Sequence, residues 1–116
     1  ACRTPHVDII AHPTGRLLES REPYAVDLER VMEVAAETGT ALEINSQHER
    51  LDLNDVNARR AIQMGVTLAI STDSHNTDQL WSIELGVATA RRGWVDPGSV
   101  LNTLTPAKLL RRLSAV

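Results

Sequence analysis

The sequence predicts an α/β fold with parallel strands and outer helices, and within that class part of a barrel rather than an open sheet. Three observations predict it. Strand-like and helix-like segments alternate in the order β-α-β-α-β-α-α, and parallel neighbours need such helical crossovers. Each strand-like segment has one polar and one apolar face, which suits a small barrel with a polar interior better than a sheet covered by helices on both sides. The longest irregular stretches, "PTGRLLESREPY" and "SQHERLDL", directly follow strands, where parallel α/β folds carry their chemistry.

The elements follow in order. "HVDIIAHP" reads as a short strand: Val7, Ile9 and Ile10 are β-branched, and Pro13 cannot continue a ladder. "VDLERVMEVAAETG" places Leu28, Val31, Met32 and Ala35 at helical spacing, with Asp27 as N-cap and Gly39 as the stop. "TALEIN" is the second strand, and "LNDVNARRAIQMG" the second helix, capped by Asn54 or Asp55 and ended by Gly65. "VTLAIST" is the third strand. "NTDQLWSIELGVATARRG" reads as one helix with Leu80, Ile83 and Val87 toward a core. "TPAKLLRRLSAV" is the last helix, with Thr105 at the N-cap and Pro106 at the first helical position.

Composition narrows the function classes. The chain has 116 residues, 42% hydrophobic and 23% charged, enough for one core and a single segment spanning 1–116. The net charge of −3 supplies no broad basic face for nucleic acid. A single cysteine, Cys2, forms no internal disulfide, and no apolar run reaches the length of a membrane span. A cytoplasmic setting without membrane contact is expected. The opening "ACRTPHVD" lacks an initiator methionine and is within a few residues of an apolar run, so a piece of a longer protein is also expected.

With period-2 alternation, Asp8, Ile10 and His12 share one side of the first strand, Glu43 and Asn45 one side of the second, and Ala69, Ser71 and Asp73 one side of the third. The polar faces end in His12, Asn45 and Asp73, which a parallel fold gathers at one pole. "STDSH" adds His75 two positions after Asp73. Two imidazoles and a carboxylate suit zinc, manganese or iron. Three ligands cannot complete a multi-metal cluster, so further ligands would come from sequence outside this chain.

Taken together, "AHPTGRLL", "LEINSQHERLDL", "STDSH" and "ARRGW" resemble the C-terminal part of a polymerase-and-histidinol-phosphatase (PHP) domain, in particular that of bacterial family X DNA polymerases. The resemblance runs from about Pro5 to Leu113. It implies the C-terminal portion of a distorted (β/α)7 TIM-like barrel whose mouth holds up to three divalent ions, manganese or zinc. His12 then stands for a late metal-binding histidine, and Asp73 and His75 for the final ligand motif, serving different metals. The family's earlier His-x-His motif, bridging glutamate and remaining histidines have no counterpart here. The activity implied is that of a metal-dependent phosphoesterase, a 3′-to-5′ exonuclease with related 3′-end processing in DNA repair. The partners implied are DNA 3′ ends, an upstream polymerase and the remaining PHP segments. Alone, the 116-residue chain is expected to be inactive and to self-associate, because three strands leave sheet edges unpaired.

Other readings stand beside these. Asp73 and His75 could open the following helix as cap and loop, or Asp78 could cap it. Arg16 could hold a phosphate bidentately or pair with Glu19 or Glu22. Asn45 could bind substrate or a metal-bound water, or hold its own loop. Glu43 reads as an interior acid behind the ligands, Arg50 as structural, and His6 and His48 as having no metal role. Trp81 and Trp94 read as core and helix-end packing, and Arg91 and Arg92 as helix-dipole partners. At the level of function, one rival is a stand-alone PHP phosphatase acting on a small phosphomonoester such as histidinol phosphate. The other is a non-catalytic barrel remnant acting as an interaction module.

Overall fold

Three short, largely apolar segments form strands β1 (Ile9–Ile10), β2 (Ala41–Asn45) and β3 (Leu68–Ser71). In the computed structural model, which describes residues 1–16 and 27–114, they make one parallel sheet in the order β1-β2-β3. Helices α1 (Leu28–Thr38) and α2 (Asp55–Gln63) are the crossovers. A 3₁₀ segment, Thr77–Ser82, leads from β3 into α3 (Ile83–Arg92), and short 3₁₀ turns lead on to α4 (Pro106–Ser114).

The helix ends follow the expected chemistry. Asp27 accepts from the Arg30 N–H at 3.1 Å, and Asn54, not Asp55, caps α2 by accepting from the Asn57 N–H at 2.8 Å. Gly39 closes α1 in the left-handed region at φ 75°, where glycine carries no Cβ penalty. Thr105 accepts from the Lys108 N–H at 3.3 Å, with Pro106 opening α4.

The register separates two faces. Ile10, Leu42 and Leu68 lie side by side, as do Ile44 and Ile70. They pack on Met32 and Ala35 of α1, Ala58 and Ala61 of α2 and Ala90 of α3. The opposite face is apolar at the strand starts, where Ala41 and Ala69 meet Leu101, Leu104 and Leu109. It turns polar at Glu43, Asn45 and Ser71, as alternation predicts for β2 and β3. In β1 the expected face is reversed. Ile10 belongs to the helix-side core and Ile9 pairs with Ala41, because the strand is only two residues long and the chain leaves it before alternation reaches His12.

The predicted helix after "STDSH" also differs. It begins as 3₁₀, and its buried face is Ser82, Gly86, Thr89 and Ala90, not Leu80, Ile83 and Val87. Small side chains let α3 approach the sheet closely; Ile83 and Val87 are half-buried, and Leu80 and Trp81 are exposed. Trp81 is 57% exposed and is not a core residue; Trp94, just past the end of α3, is 80% exposed. Trp94 lies under the Arg59 guanidinium, 6.0 Å from the ring centre.

The outer edge of β3 is occupied. Leu68 bridges to Val100, and the Asn102 side chain bonds both the N–H and the C=O of Ile70 at 2.8 Å, as a neighbouring strand would. No described helix is long and apolar enough to cross a membrane.

Gly86 marks the tightest approach of α3. A Cβ there would lie 2.0 Å from Ser46 Oγ and 2.7 Å from Ile70 Cγ2. Gly86→Ala should therefore destabilise by at least about 1–3 kcal/mol, the usual range for overpacking. Ser46→Gly in the same chain should recover only part of that loss, since Ile70 remains. Urea denaturation of the two variants measures both effects, and an unchanged midpoint for Gly86→Ala would show that α3 can move away freely.

Candidate active site at the strand ends

The site is assembled around Glu43, near the end of β2 and only 8% exposed. Its Oε1 accepts from the His12 backbone N–H at 2.9 Å and from Asn45 Nδ2 at 3.1 Å. Its Oε2 accepts from the Ser71 hydroxyl. One carboxylate thus joins the ends of all three strands. A buried acid needs such partners, because desolvation of its charge is otherwise costly.

Asn45 carries the network outward. It is fully buried, and its Nδ2 also donates to Asp73 Oδ2 at 3.1 Å, while its Oδ1 accepts from the Gln47 N–H at 3.0 Å. Asp73 sits at φ 51°, in a left-handed turn that aspartate tolerates better than most residues. That turn is fixed from the side by Gln47 Nε2, which donates to the Asp73 carbonyl at 2.9 Å and to Gln79 Oε1 at 3.2 Å. Gln79 Oε1 in turn accepts from the His75 N–H at 2.8 Å. His75 Nδ1 lies 2.9 Å from the Asp73 carbonyl oxygen. A carbonyl can only accept, so Nδ1 carries the proton and the Nε2 lone pair is left for a ligand.

A second assembly holds the His12 loop. After β2 the chain folds back so that Asp52 pairs antiparallel with Asn45. The Asp52 carboxylate, fully buried, accepts from the Thr14 and Gly15 N–H groups at 2.9 Å each through Oδ2. Arg16 donates through Nε to the Arg50 carbonyl at 2.7 Å and through Nη2 to the Leu51 carbonyl. His12 itself has φ 27° and Leu51 φ 43°. With Asp73, three non-glycine residues at this pole thus hold sparsely populated backbone conformations, which tend to persist where surrounding structure fixes them.

Of the sequence-predicted residues, Asn45 and Asp73 are in direct contact, His12 joins them through Glu43, and His75 reaches Asp73 through its backbone. Arg16 is held by loop carbonyls, and Glu19 and Glu22, its alternative partners, lie outside the described residues. Asp52, Gln47 and Gln79 were not legible as site residues. The available signal was a lone acid between two leucines in "RLDL". The donors fit a divalent ion in kind: His12 Nδ1 is buried without a partner, and His75 Nε2 faces no competing bond among those described. Among the described residues, however, no three His, Cys, Asp or Glu side chains come together as a metal-holding group. A complete shell would need further donors. A cleft of about 740 Å³ lies at the other pole, lined by residues that include His6, Asp8, Thr40 and Arg112, and contains none of these site residues.

Known proteins of similar sequence match most of the chain. The chain is 47% identical over 102 residues to the DNA polymerase/3′-5′ exonuclease PolX of Bacillus subtilis (strain 168), covering 88% of this chain and 18% of that protein. It is 30% identical over 109 residues to a probable phosphatase of Thermoanaerobacter sp. (strain X514), covering 89% of this chain and 42% of the relative. It is 36% identical over 81 residues to a probable phosphatase of Caldanaerobacter subterraneus subsp. tengcongensis, covering 65% of this chain and 30% of the relative. No family model matches the chain. The chain thus spans less than half the length of these curated relatives, which by name are a DNA polymerase/3′-5′ exonuclease and probable phosphatases.

Asn45 is the neutral spacer between two carboxylates, bonding Glu43 and Asp73 at 3.1 Å each. Asn45→Asp would place a third carboxylate among them and remove both donors. The loss should be on the order of 3–5 kcal/mol at neutral pH, as for an uncompensated buried charge. Like-charge repulsion and burial raise the folded-state pKa of the new acid above its unfolded value. The penalty is therefore present at high pH and shrinks as pH falls through the raised value. Denaturation midpoints of variant and wild type between pH 5 and pH 8 should converge toward the acid end; a constant gap would show that lost packing, not charge, is responsible.

Proposed function

We propose that this chain is the C-terminal part of a PHP-type, metal-dependent phosphoesterase, serving as the 3′-to-5′ exonuclease and 3′-end-processing portion of a family X DNA polymerase. The observation that carries this reading is the 47% identity to the B. subtilis polymerase/exonuclease across 88% of the chain. The geometry supports it by placing Asp73, His75 and the His12 loop around one hydrogen-bonded network. In this reading the three parallel strands are the last portion of a TIM-like barrel, and the missing donors belong to the remaining PHP segments.

His12, Asp73 and His75 would hold divalent ions, manganese or zinc. Such ions lower the pKa of a bound water and neutralise charge on the leaving oxygen of a phosphodiester. Asn45 keeps the Asp73 carboxylate aimed by bonding Oδ2. Gln79 and Gln47 fix the turn that carries Asp73 and His75. Arg16, anchored through Nε and Nη2, would present its remaining nitrogen to a substrate phosphate. DNA 3′ ends are the proposed substrate, met through the full-length protein.

Asp73→Asn in the full-length protein should lower manganese-dependent release of a 3′-terminal label from single-stranded DNA by more than about 100-fold, beyond the loss usual for outer partners of a metal site. Its melting behaviour should stay within about 1 kcal/mol of wild type, since Asp73 is exposed. Full nuclease activity in this variant would remove Asp73 from the metal shell.

A second reading, a phosphatase for small phosphomonoesters, draws on the probable phosphatases that match at 30–36% identity. Turnover of a small phosphomonoester with no digestion of labelled DNA would favour it. The isolated chain should bind manganese weakly and self-associate through the β1 edge, because β3 is already covered. Titration calorimetry and size-exclusion chromatography test this. Sub-micromolar affinity with turnover from the isolated chain would show that no further donors are needed.

A further inference from the structure

The His12 loop is fixed by an acid that is itself no part of the predicted ligand set. Asp52 is fully buried, and its Oδ2 takes two backbone N–H groups, Thr14 and Gly15, at 2.9 Å each. The Gly15 N–H is also 2.9 Å from the His12 carbonyl, so the carboxylate closes the turn that begins at His12. Nothing in the apolar core requires this. The clamp joins two loops at the strand ends, and Arg16 reinforces it through the Arg50 and Leu51 carbonyls. Its other oxygen, Oδ1, is buried with no partner, and so is His12 Nδ1. Leaving a carboxylate oxygen unmatched costs free energy, which an apolar residue at this position would avoid. The cost is understandable where two N–H groups must be held in one place.

We propose that Asp52 is the positioning residue for His12: by clamping the Thr14 and Gly15 amides it holds the turn in the φ 27° conformation from which the imidazole is presented. The proposal rests on the reading of His12 as a metal ligand. Asp52 touches neither metal nor substrate and acts through the loop backbone. Outer partners of metal ligands typically contribute 10–100-fold in metal affinity, and the expected effect of losing the clamp lies in that range.

The test uses the full-length protein and manganese alone, with titration calorimetry and amide hydrogen exchange at Thr14 and Gly15. Asp52→Ala should weaken manganese binding about 10–100-fold and speed exchange at both amides. Asp52→Asn retains one carbonyl oxygen able to accept both N–H groups and should recover most of the affinity and protection. His12→Ala should weaken binding while leaving the two amides protected. The double variant His12→Ala/Asp52→Ala should bind no more weakly than His12→Ala, because coupled residues are non-additive. If Asp52→Ala does not fold, Asp52→Ser, too short to span both amides, takes its place in the cycle.

Wild-type manganese affinity in Asp52→Ala with fast amide exchange would overturn the proposal and make the clamp purely structural. Additive losses in the double variant would overturn it as well. Unchanged affinity in His12→Ala would instead overturn the metal-ligand reading on which it rests, and with it this role for Asp52. The two failures are therefore distinguishable.

Discussion

The structure of this pole depends on a buried carboxylate at the end of the central strand. Glu43 is 8% exposed and accepts from one group in each neighbouring strand end, the His12 N–H on one side and the Ser71 hydroxyl on the other, with Asn45 between them. Hydrogen bonds to a charged group contribute about 1.5–3 kcal/mol each, while desolvating the charge costs several. The two are of similar size, so Glu43 adds little net stability. What it provides is selection. A register slip of one residue in β3 would turn the Ser71 hydroxyl to the other face and leave one carboxylate oxygen unmatched, at a cost of about 1–3 kcal/mol.

That constraint explains why the apolar and polar parts of the sheet are divided along the strands as well as across them. The starts of β2 and β3 carry Ala41 and Ala69, covered by Leu101, Leu104 and Leu109. Two residues further on, the same face carries Glu43 and Ser71. The small side chains at the strand starts admit that apolar cover, while the ends remain free for polar groups. On the opposite face, Gly86 lets α3 come against Ser46 and Ile70. The 3₁₀ segment ahead of α3 carries Gln79, whose side chain holds the His75 backbone.

Local signals made much of this legible in the sequence, and non-local ones did not. Caps at Asp27 and Thr105 and the stop at Gly39 depend on neighbours within a few residues and appear as read, while of the two caps read for α2 the structure uses Asn54. The faces of β2 and β3 followed from alternation. The face of β1 did not, because two residues are too few to carry a period. The buried side of α3 was missed since its small residues, Ser82, Gly86, Thr89 and Ala90, look less hydrophobic than Leu80 and Trp81, although only small ones fit. Asp52 was missed for another reason. Its partners, Thr14 and Gly15, are nearly 40 positions away and contribute backbone groups, which leave no trace in residue type.

The two edges of the sheet are chemically unequal, and this limits how the fold can extend. On β3, the outward-facing groups of Ile70 are taken by the Asn102 amide, and Leu68 is bridged to Val100. With one N–H and its oxygen, the Asn102 amide supplies the donor and acceptor that a neighbouring strand would, without the length that would invite another chain. On β1, no further strand is paired among the described residues. A strand added to this sheet would therefore join beside Ile9 and Ile10, next to the loop that carries His12. The free edge of the sheet thus lies on the side of the His12 loop, across β2 from the Asp73 turn.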